Sequence, residues 1–416
     1  MPGLLTAVLA GAVLTGCGKS APAPSGGASG GPIAQVSTQG ATGLSTKNTT
    51  RLGGSNPATD AAAVARTVYP GLTSSTRPQA IVLVDERDWP AALAASVLAS
   101  APLGAPLLYS DGSTLPAVSA QALATMHPTG AAQAGGAQVI RIGTTTAMPA
   151  GYRTDTLAAT EPPALAAEMA LLVSRAHGVA PRQVIVLAQD GPPALEMPAA
   201  GLSAESGAPI LLVNSTAIPA ATGTELASLH QPTIYVVGSS VLSGRVLAEL
   251  AHFGPVKQIG EGAGEDAGAG GNPIENAIAV ARFADGAFGW GIREPGHGLV
   301  FANVSRPLDA PAAASLSASG DFGPLLLLED SSPPARGSIP RTSIEPALAP
   351  ALIHYLNDIK PAYSPQVSPV RGVYNRGWLI GDERAISAVT QAEIDTLLET
   401  SPRAAATEEP SLPLAE

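Results

Sequence analysis

The sequence has a single cysteine, Cys17, among 416 residues. That excludes disulfides within one chain and any cysteine-rich metal site. Charge is scarce too, because Asp, Glu, Lys and Arg make up 13% of the chain, where soluble domains average about 25%. Basic residues are the rarer sign, 22 against 33 acids, for a formal net charge of −11. Nucleic acid is bound through neutralisation of its phosphates by Lys and Arg, so this balance argues against such a partner. It argues equally against a polybasic lipid-binding patch. Aromatics are only 4%, too few for platforms on which bases or sugars stack. No apolar run approaches the roughly 20 residues that a bilayer-spanning helix needs.

Catalytic signatures are missing as well. The histidines (His127, His177, His230, His252, His297 and His354) are scattered, with no pair at His-x-x-x-His spacing. No Gly-x-Ser-x-Gly sequence stands between a strand-like run and a helix-like one, as a nucleophile elbow would, and there is no phosphate-binding loop or EF-hand loop. The run Gly260–Asp266 lacks dinucleotide-binding spacing and reads as an acidic loop. Glu329 and Asp330 are adjacent on a strand and so point to opposite sides, which makes them a poor acid/base pair. The expectation is a protein that is not an enzyme and carries no cofactor.

What is present begins at the amino terminus. The apolar stretch Leu4–Val13, at about ten residues, is too short for a bilayer span and has the length of a signal-peptide core. It runs into Leu14-Thr15-Gly16-Cys17. That ending resembles the bacterial lipobox, in which small residues admit the peptidase and the cysteine thiol receives a diacylglycerol. The resemblance implies that residues 1–17 are a lipoprotein signal peptide and that Cys17 carries the lipid. The protein would then be anchored to the outside of a membrane. No Lys or Arg precedes the apolar run, a departure from the usual signal peptide. Residues 18–50 are nearly all Gly, Ala, Ser, Pro, Thr and Gln. They read as a flexible tether, which at about 30 residues reaches roughly 30 Å. Residues 401–416 read as a disordered acidic tail.

Three copies of one pattern fill the rest. Ile81–Val84, Val184–Leu187 and Leu299–Ala302 open the copies as short apolar runs. Leu107–Ser110, Ile210–Asn214 and Leu325–Glu329 follow, each behind a proline. Val139–Gly143, Ile234–Gly238 and Trp378–Gly381 close them, each on a glycine. Runs of this kind suit strands buried on both faces. Alanine-rich stretches of helix length lie between them, at Ala91–Ser96, Leu195–Ala200 and Asp309–Ala314. Leu115-Pro116 and Ile218-Pro219 signal further helices, with proline in the first turn. Asn56-Pro57 and Asn272-Pro273 read as helix caps with proline at the first helical position, and Glu161-Pro162 takes that place in copy two. Strand and helix alternating in this way predict an α/β fold with parallel sheets. The boundaries fall at 51–150, 151–256 and 257–400. Copy three carries a Gly-rich insertion near 262–271 and a Pro-rich one over 331–369.

The ordered set of Arg51-Leu52-Gly53-Gly54, an Ala-rich helix, a strand, Pro90-Ala91-Ala92-Leu93-Ala94-Ala95-Ser96, Ala105-Pro106-Leu107-Leu108, Leu115-Pro116 and a strand ending in glycine resembles the cell wall-binding repeat 2 family. The likeness covers nearly all of residues 51–400. It implies three tandem Rossmann-like modules about a pseudo-threefold axis, binding an anionic cell-wall polymer without a covalent link. Where the family usually has an Asp before the first crossover helix, the chain departs in two copies, with Ala91 and Glu196, and has Asp309 in the third. It is also acidic where a binder of anionic polymer is expected to be basic.

Ligands of open parallel sheets sit beyond the carboxyl ends of the strands. The polar loops there make Arg87, Asp111, Ser239, Arg306 and Arg384 the candidate polymer-binding residues, the arginines because their forked donors grip anions. The alternative is a solute-binding lipoprotein of an uptake system, against which the threefold repeat argues. A peptidoglycan hydrolase would need a catalytic constellation that the sequence does not offer.

Overall fold

The computed structural model describes residues 44–261, 266, 268–319, 322–329, 348–363 and 373–402. Cys17, most of the expected tether, half of the Gly-rich insertion, the greater part of the Pro-rich one and most of the acidic tail lie outside them.

The chain opens with β1 (Leu44–Ser45) and β2 (Thr49–Leu52), then α1 (Pro57–Val68), β3 (Ile81–Asp85), α2 (Trp89–Ala94), β4 (Leu107–Ser110), α3 (Ala117–Met126) and β5 (Val139–Ile142). Copy two runs through β6 (Thr154–Leu157), α4 (Pro162–His177), β7 (Gln183–Ala188), α5 (Pro193–Glu196), α6 (Pro198–Ser206), β8 (Ile210–Val213), α7 (Ala220–Ser228), β9 (Thr233–Val236) and α8 (Gly244–Leu250). Copy three supplies β10 (Val256–Gln258), α9 (Pro273–Arg282), β11 (Gly298–Asn303), α10 (Asp309–Ser317), β12 (Phe322–Leu328), α11 (Pro350–Asp358), β13 (Ala362–Tyr363), β14 (Arg376–Ile380), α12 (Ala388–Leu397) and β15 (Ser401–Pro402).

The apolar runs form the central strands as expected. Ile81–Val84, Val184–Leu187 and Leu299–Ala302 are buried throughout, because helices cover both faces of a parallel sheet. Asn56 caps α1 by accepting from Thr59 N, and Asn272 caps α9 by accepting from Ile274 N and Glu275 N. Each leaves a proline at the helix start, where no amide hydrogen is needed. Pro116 and Pro219 stand one residue earlier than anticipated, as the caps of α3 and α7 and not within the first turn.

Three main parallel sheets result, ordered β4-β3-β5-β6, β8-β7-β9-β10 and β12-β11-β14-β2-β1, with only the β1–β2 pair antiparallel, and β13 and β15 form a separate two-stranded parallel pair. In each, the fourth strand belongs to the next sequence copy. β6, the first strand of copy two, pairs with β5 from Val139↔Thr154 to Ile142↔Leu157. β10, the first strand of copy three, pairs with β9 from Ile234↔Val256 to Val236↔Gln258. The sheet of copy three is completed from the start of the chain, where β2 pairs with β14 from Gly377↔Thr49 to Ile380↔Leu52. Sheets and sequence repeats are therefore out of phase by one strand, and the series closes on itself.

That closure corrects the expected extent of the tether. Residues 44–50 are not a flexible linker but part of β1, β2 and the turn between them, with Asn48 and Thr49 buried. Their Ser/Thr/Asn composition hides them because they are held by backbone pairing and side-chain hydrogen bonds, not by apolar burial. Asn48 N donates to Asp395 Oδ1 at 2.7 Å, and the buried Arg51 donates to Gln391 Oε1 at 2.8 Å and to the Asp382 carbonyl at 2.8 Å. The expected tail likewise starts later, since Ser401 and Pro402 pair with β13.

The small residues of the first crossover helices pack helix on helix as well as helix on sheet. A Cβ added to Gly201 of α6 would lie 2.8 Å from Ser317 Oγ of α10. Ala99, Ala204 and Ala314, one from each copy, form a small apolar cluster where these segments meet.

Candidate functional site

The strongest concentration of buried charge lies where copies one and three meet. Asp60, in the first turn of α1, and Asp309, at the start of α10, are both fully buried. Arg306 lies between them, donating from Nε to Asp309 Oδ2 at 2.7 Å and from Nη2 to Asp60 Oδ2. Asp60 Oδ1 also accepts from Gly54 N at 2.6 Å. A Cβ on Gly53 would sit 2.2 Å from that same carboxylate oxygen, so the turn leaving β2 must be glycine. Tyr109 of β4 reaches across and donates to the Leu308 carbonyl at 2.7 Å.

One arginine cannot neutralise two desolvated carboxylates. Burial and the neighbouring Asp309 push the Asp60 carboxyl up to about 8, against the Gly54 amide and Arg306. Burial also raises Asp309, which Arg306 holds down. The pair therefore keeps a proton at neutral pH, and Asp60 can carry it. The folded pKa of Asp60 lies above the unfolded value, so its contribution to stability is fully present in acid. It is lost as pH rises from about 4 towards 8, by at most about 1.4 kcal/mol per pH unit. Asp60→Asn will flatten that slope in urea unfolding between pH 5 and pH 8. An unchanged slope would show that the proton resides elsewhere.

The same helical position marks the other two junctions. Four residues after the cap, α9 has Asn276 and α4 has Leu165. Asn276 is buried and donates to the Leu195 carbonyl of copy two at 2.6 Å. Beside it Glu196, 1% exposed, has no basic partner among the described residues. Burial and Asp190 raise its pKa well above the usual carboxylate range. At the junction of copies one and two, Leu165 packs against Gly143, where an added Cβ would lie 2.8 Å from Leu165 Cδ1. The three seams are thus ionic, neutral polar and apolar at equivalent places.

The residues expected to hold polymer all lie at carboxyl ends of strands, but not in one site. Arg87 and Asp111 flank sheet one. Arg87 is clamped by Asp85 of its own loop, at 3.0 and 2.6 Å, and Asp111 turns back to pair with Thr114. Ser239, beside sheet two, is buried and donates to Glu261 Oε1 at 3.1 Å. Arg384 is clamped by Asp382 at 2.9 and 2.7 Å. Arg306 alone is gathered into a cluster, with Asp60, which sequence reasoning missed, and Asp309, noted there only as the acid that copy three keeps at the family position. Aligning Asn56-Pro57-Ala58-Thr59-Asp60 with Asn272-Pro273-Ile274-Glu275-Asn276 was the signal that could have found Asp60.

Among the described residues no group of three His, Cys, Asp or Glu side chains is placed to hold a metal, and no helix is long and apolar enough to cross a membrane. No family model and no curated protein matches the chain. Solved structures do. The cell wall protein Cwp6 from Clostridium difficile superposes with a TM-score of 0.58 at 16% identity, over 85% of this chain and 48% of its own. Cwp8 from the same organism gives 0.55 at 17% identity, over 85% and 52%. The chain spans about half the length of these structures, and at such identity the likeness is one of fold.

Proposed function

We propose that this protein is a non-enzymatic surface lipoprotein, anchored through Cys17, whose three modules hold an anionic cell-wall polymer without a covalent link. The modules belong on this reading to the cell wall-binding repeat 2 family and stand about a pseudo-threefold axis. The observation that carries it is the series of three sheets, each completed by the next copy's strand, in a fold shared with two cell wall proteins over 85% of the chain. The buried charges support a binding scaffold over an enzyme: Arg306, Asp60 and Asp309 satisfy one another across a seam. A solute-binding lipoprotein would need two lobes about a hinge, and three sheets that exchange strands do not divide that way.

Replacing Cys17 by Ser tests the anchor and the wall reading separately. The variant will leave the membrane fraction and still sediment with purified cell walls. Retention in the membrane would remove the anchor from the account, and loss from the walls would remove the polymer.

A further inference from the structure

The charged side chains divide between the two ends of the strands. In the carboxyl-end loops Arg87, Arg306 and Arg384 are each neutralised by aspartates. The same end carries Glu86, Asp88, Asp111, Asp190, Glu261 and Glu383. An approaching anion meets net negative charge there.

The amino ends differ. Arg77, Arg153, Arg182 and Arg376 lie just before, or at the first residue of, β3, β6, β7 and β14, and all four are exposed. Arg175 is exposed in the last turn of α4. None of these five is in an ion pair among the described residues. Of the acids of the same end, Asp285 and Glu399 are occupied by Lys257 and Lys47, while Asp155 of β6 is in no ion pair among the described residues and offsets one of the arginines. A basic residue in a last helical turn is explained by the helix dipole alone. That covers Arg175 but not the four that precede strands.

These ends share one side. α1 leaves the carboxyl end of β2 in sheet three and returns to the amino end of β3 in sheet one, and α4 and α9 make the same passage for the other sheets. Contacts across the seams agree. Tyr109, near the carboxyl end of β4, donates to Leu308 beyond the carboxyl end of β11, and Asn276 at the start of α9 donates to Leu195 beyond β7.

Two grooves open on that side, at equivalent places. One of about 500 Å³ lies at the amino ends of β2, β11 and β14, lined by Lys47, His297, Tyr374, Asn375 and Arg376. The other, of about 540 Å³, lies at the amino ends of β5 and β6, lined by Gln133, Gly135, Arg153, Asp155 and Arg175. Each sits where one copy's strand enters the sheet of the copy before. At the third such place Lys257 is held by Asp285, which also accepts from Tyr235 at 2.7 Å.

We propose that the amino-end face, through these two grooves, is the surface that takes the wall polymer, and that its ligand is a linear polyanion. This inference rests on the wall-binding reading but moves the site away from the carboxyl-end loops. Charge complementarity carries it: Arg153 and Arg175 line one groove and Arg376 the other, none of them in an ion pair among the described residues, and Arg77 and Arg182 stand at other strand starts of the same side.

The test uses the full-length Cys17→Ser chain with single reversals Arg153→Glu and Arg376→Glu. Arg245→Glu, on α8 and away from both grooves, makes the same charge change. Wall sedimentation and titration with soluble polyphosphate are the readouts, at two salt concentrations. The groove reversals will weaken binding at least fivefold and flatten its salt dependence, while Arg245→Glu leaves it unchanged. Should a reversal fold poorly, Arg153→Gln and Arg376→Gln take its place, with a smaller loss. Wall binding that survives both groove reversals overturns the face and leaves the wall reading intact. A parent that binds no wall defeats that reading. The polyphosphate titration then decides the face alone: binding weakened by the groove reversals supports it, and its absence overturns it.

Discussion

A chain lacking residues 1–52 will lose stability on the order of 5 kcal/mol, because sheet three will lack the strand that closes it. The loss is a sum of terms of ordinary size. β2 contributes the ladder along Gly377–Ile380 and the burial of Leu52. The first is worth about 1 kcal/mol per hydrogen bond and the second about 1.5–3 kcal/mol. Deletion also strips Gln391, whose buried amide donates to Thr49 Oγ1 at 3.0 Å and accepts from Arg51. Hydrogen exchange should report the damage in β14 and α12 first, with sheets one and two still protected. Arg51→Ala is the milder version and should cost about 3 kcal/mol, since it orphans Gln391 and the Gly381 and Asp382 carbonyls. Thermal unfolding indistinguishable from the parent's for the truncated chain would mean that β2 decorates sheet three without closing it.

Arg306→Ala carries the second large effect. It leaves Asp60 and Asp309 buried together without a cation, and breaking a buried ion pair from one side costs about 3–5 kcal/mol. The deficit will be largest at pH 8 and smaller at pH 5, where both carboxyls can be protonated, because their folded pKa values lie above their unfolded ones. The triple change Arg306→Met, Asp60→Asn, Asp309→Asn should recover most of the loss, since a neutral cluster has no charge left to desolvate. Denaturant midpoints at the two pH values decide it. An Arg306→Ala deficit independent of pH would assign the damage to lost packing of the arginine stem.

The central strands were legible because burial on both faces forces an unbroken apolar run, as in Ile81–Val84 and Leu299–Ala302. The caps were legible because Asn56 and Asn272 each precede a proline, and that pair has a local mechanism. Strand exchange was not. β6 reads Thr-Asp-Thr-Leu, β10 Val-Lys-Gln and β2 Thr-Thr-Arg-Leu. Sequences so short and polar have no period to detect and are held by pairing with a strand from another copy. The ionic seam was hidden for a related reason. Asp60 and Arg306 are 246 positions apart, and nothing local to either says that they meet. The candidate arginines were chosen for an exposed fork, but Arg87 and Arg384 each have an aspartate two residues earlier, and that spacing closes the fork on its own loop.

Sedimentation of the Cys17→Ser chain with its own cell walls, before and after chemical removal of the anionic polymer, bears most directly on the account. The chain should pellet with native walls, remain in solution with stripped ones, and be released as salt rises. Equal binding to native and stripped walls, or none to either, would contradict it.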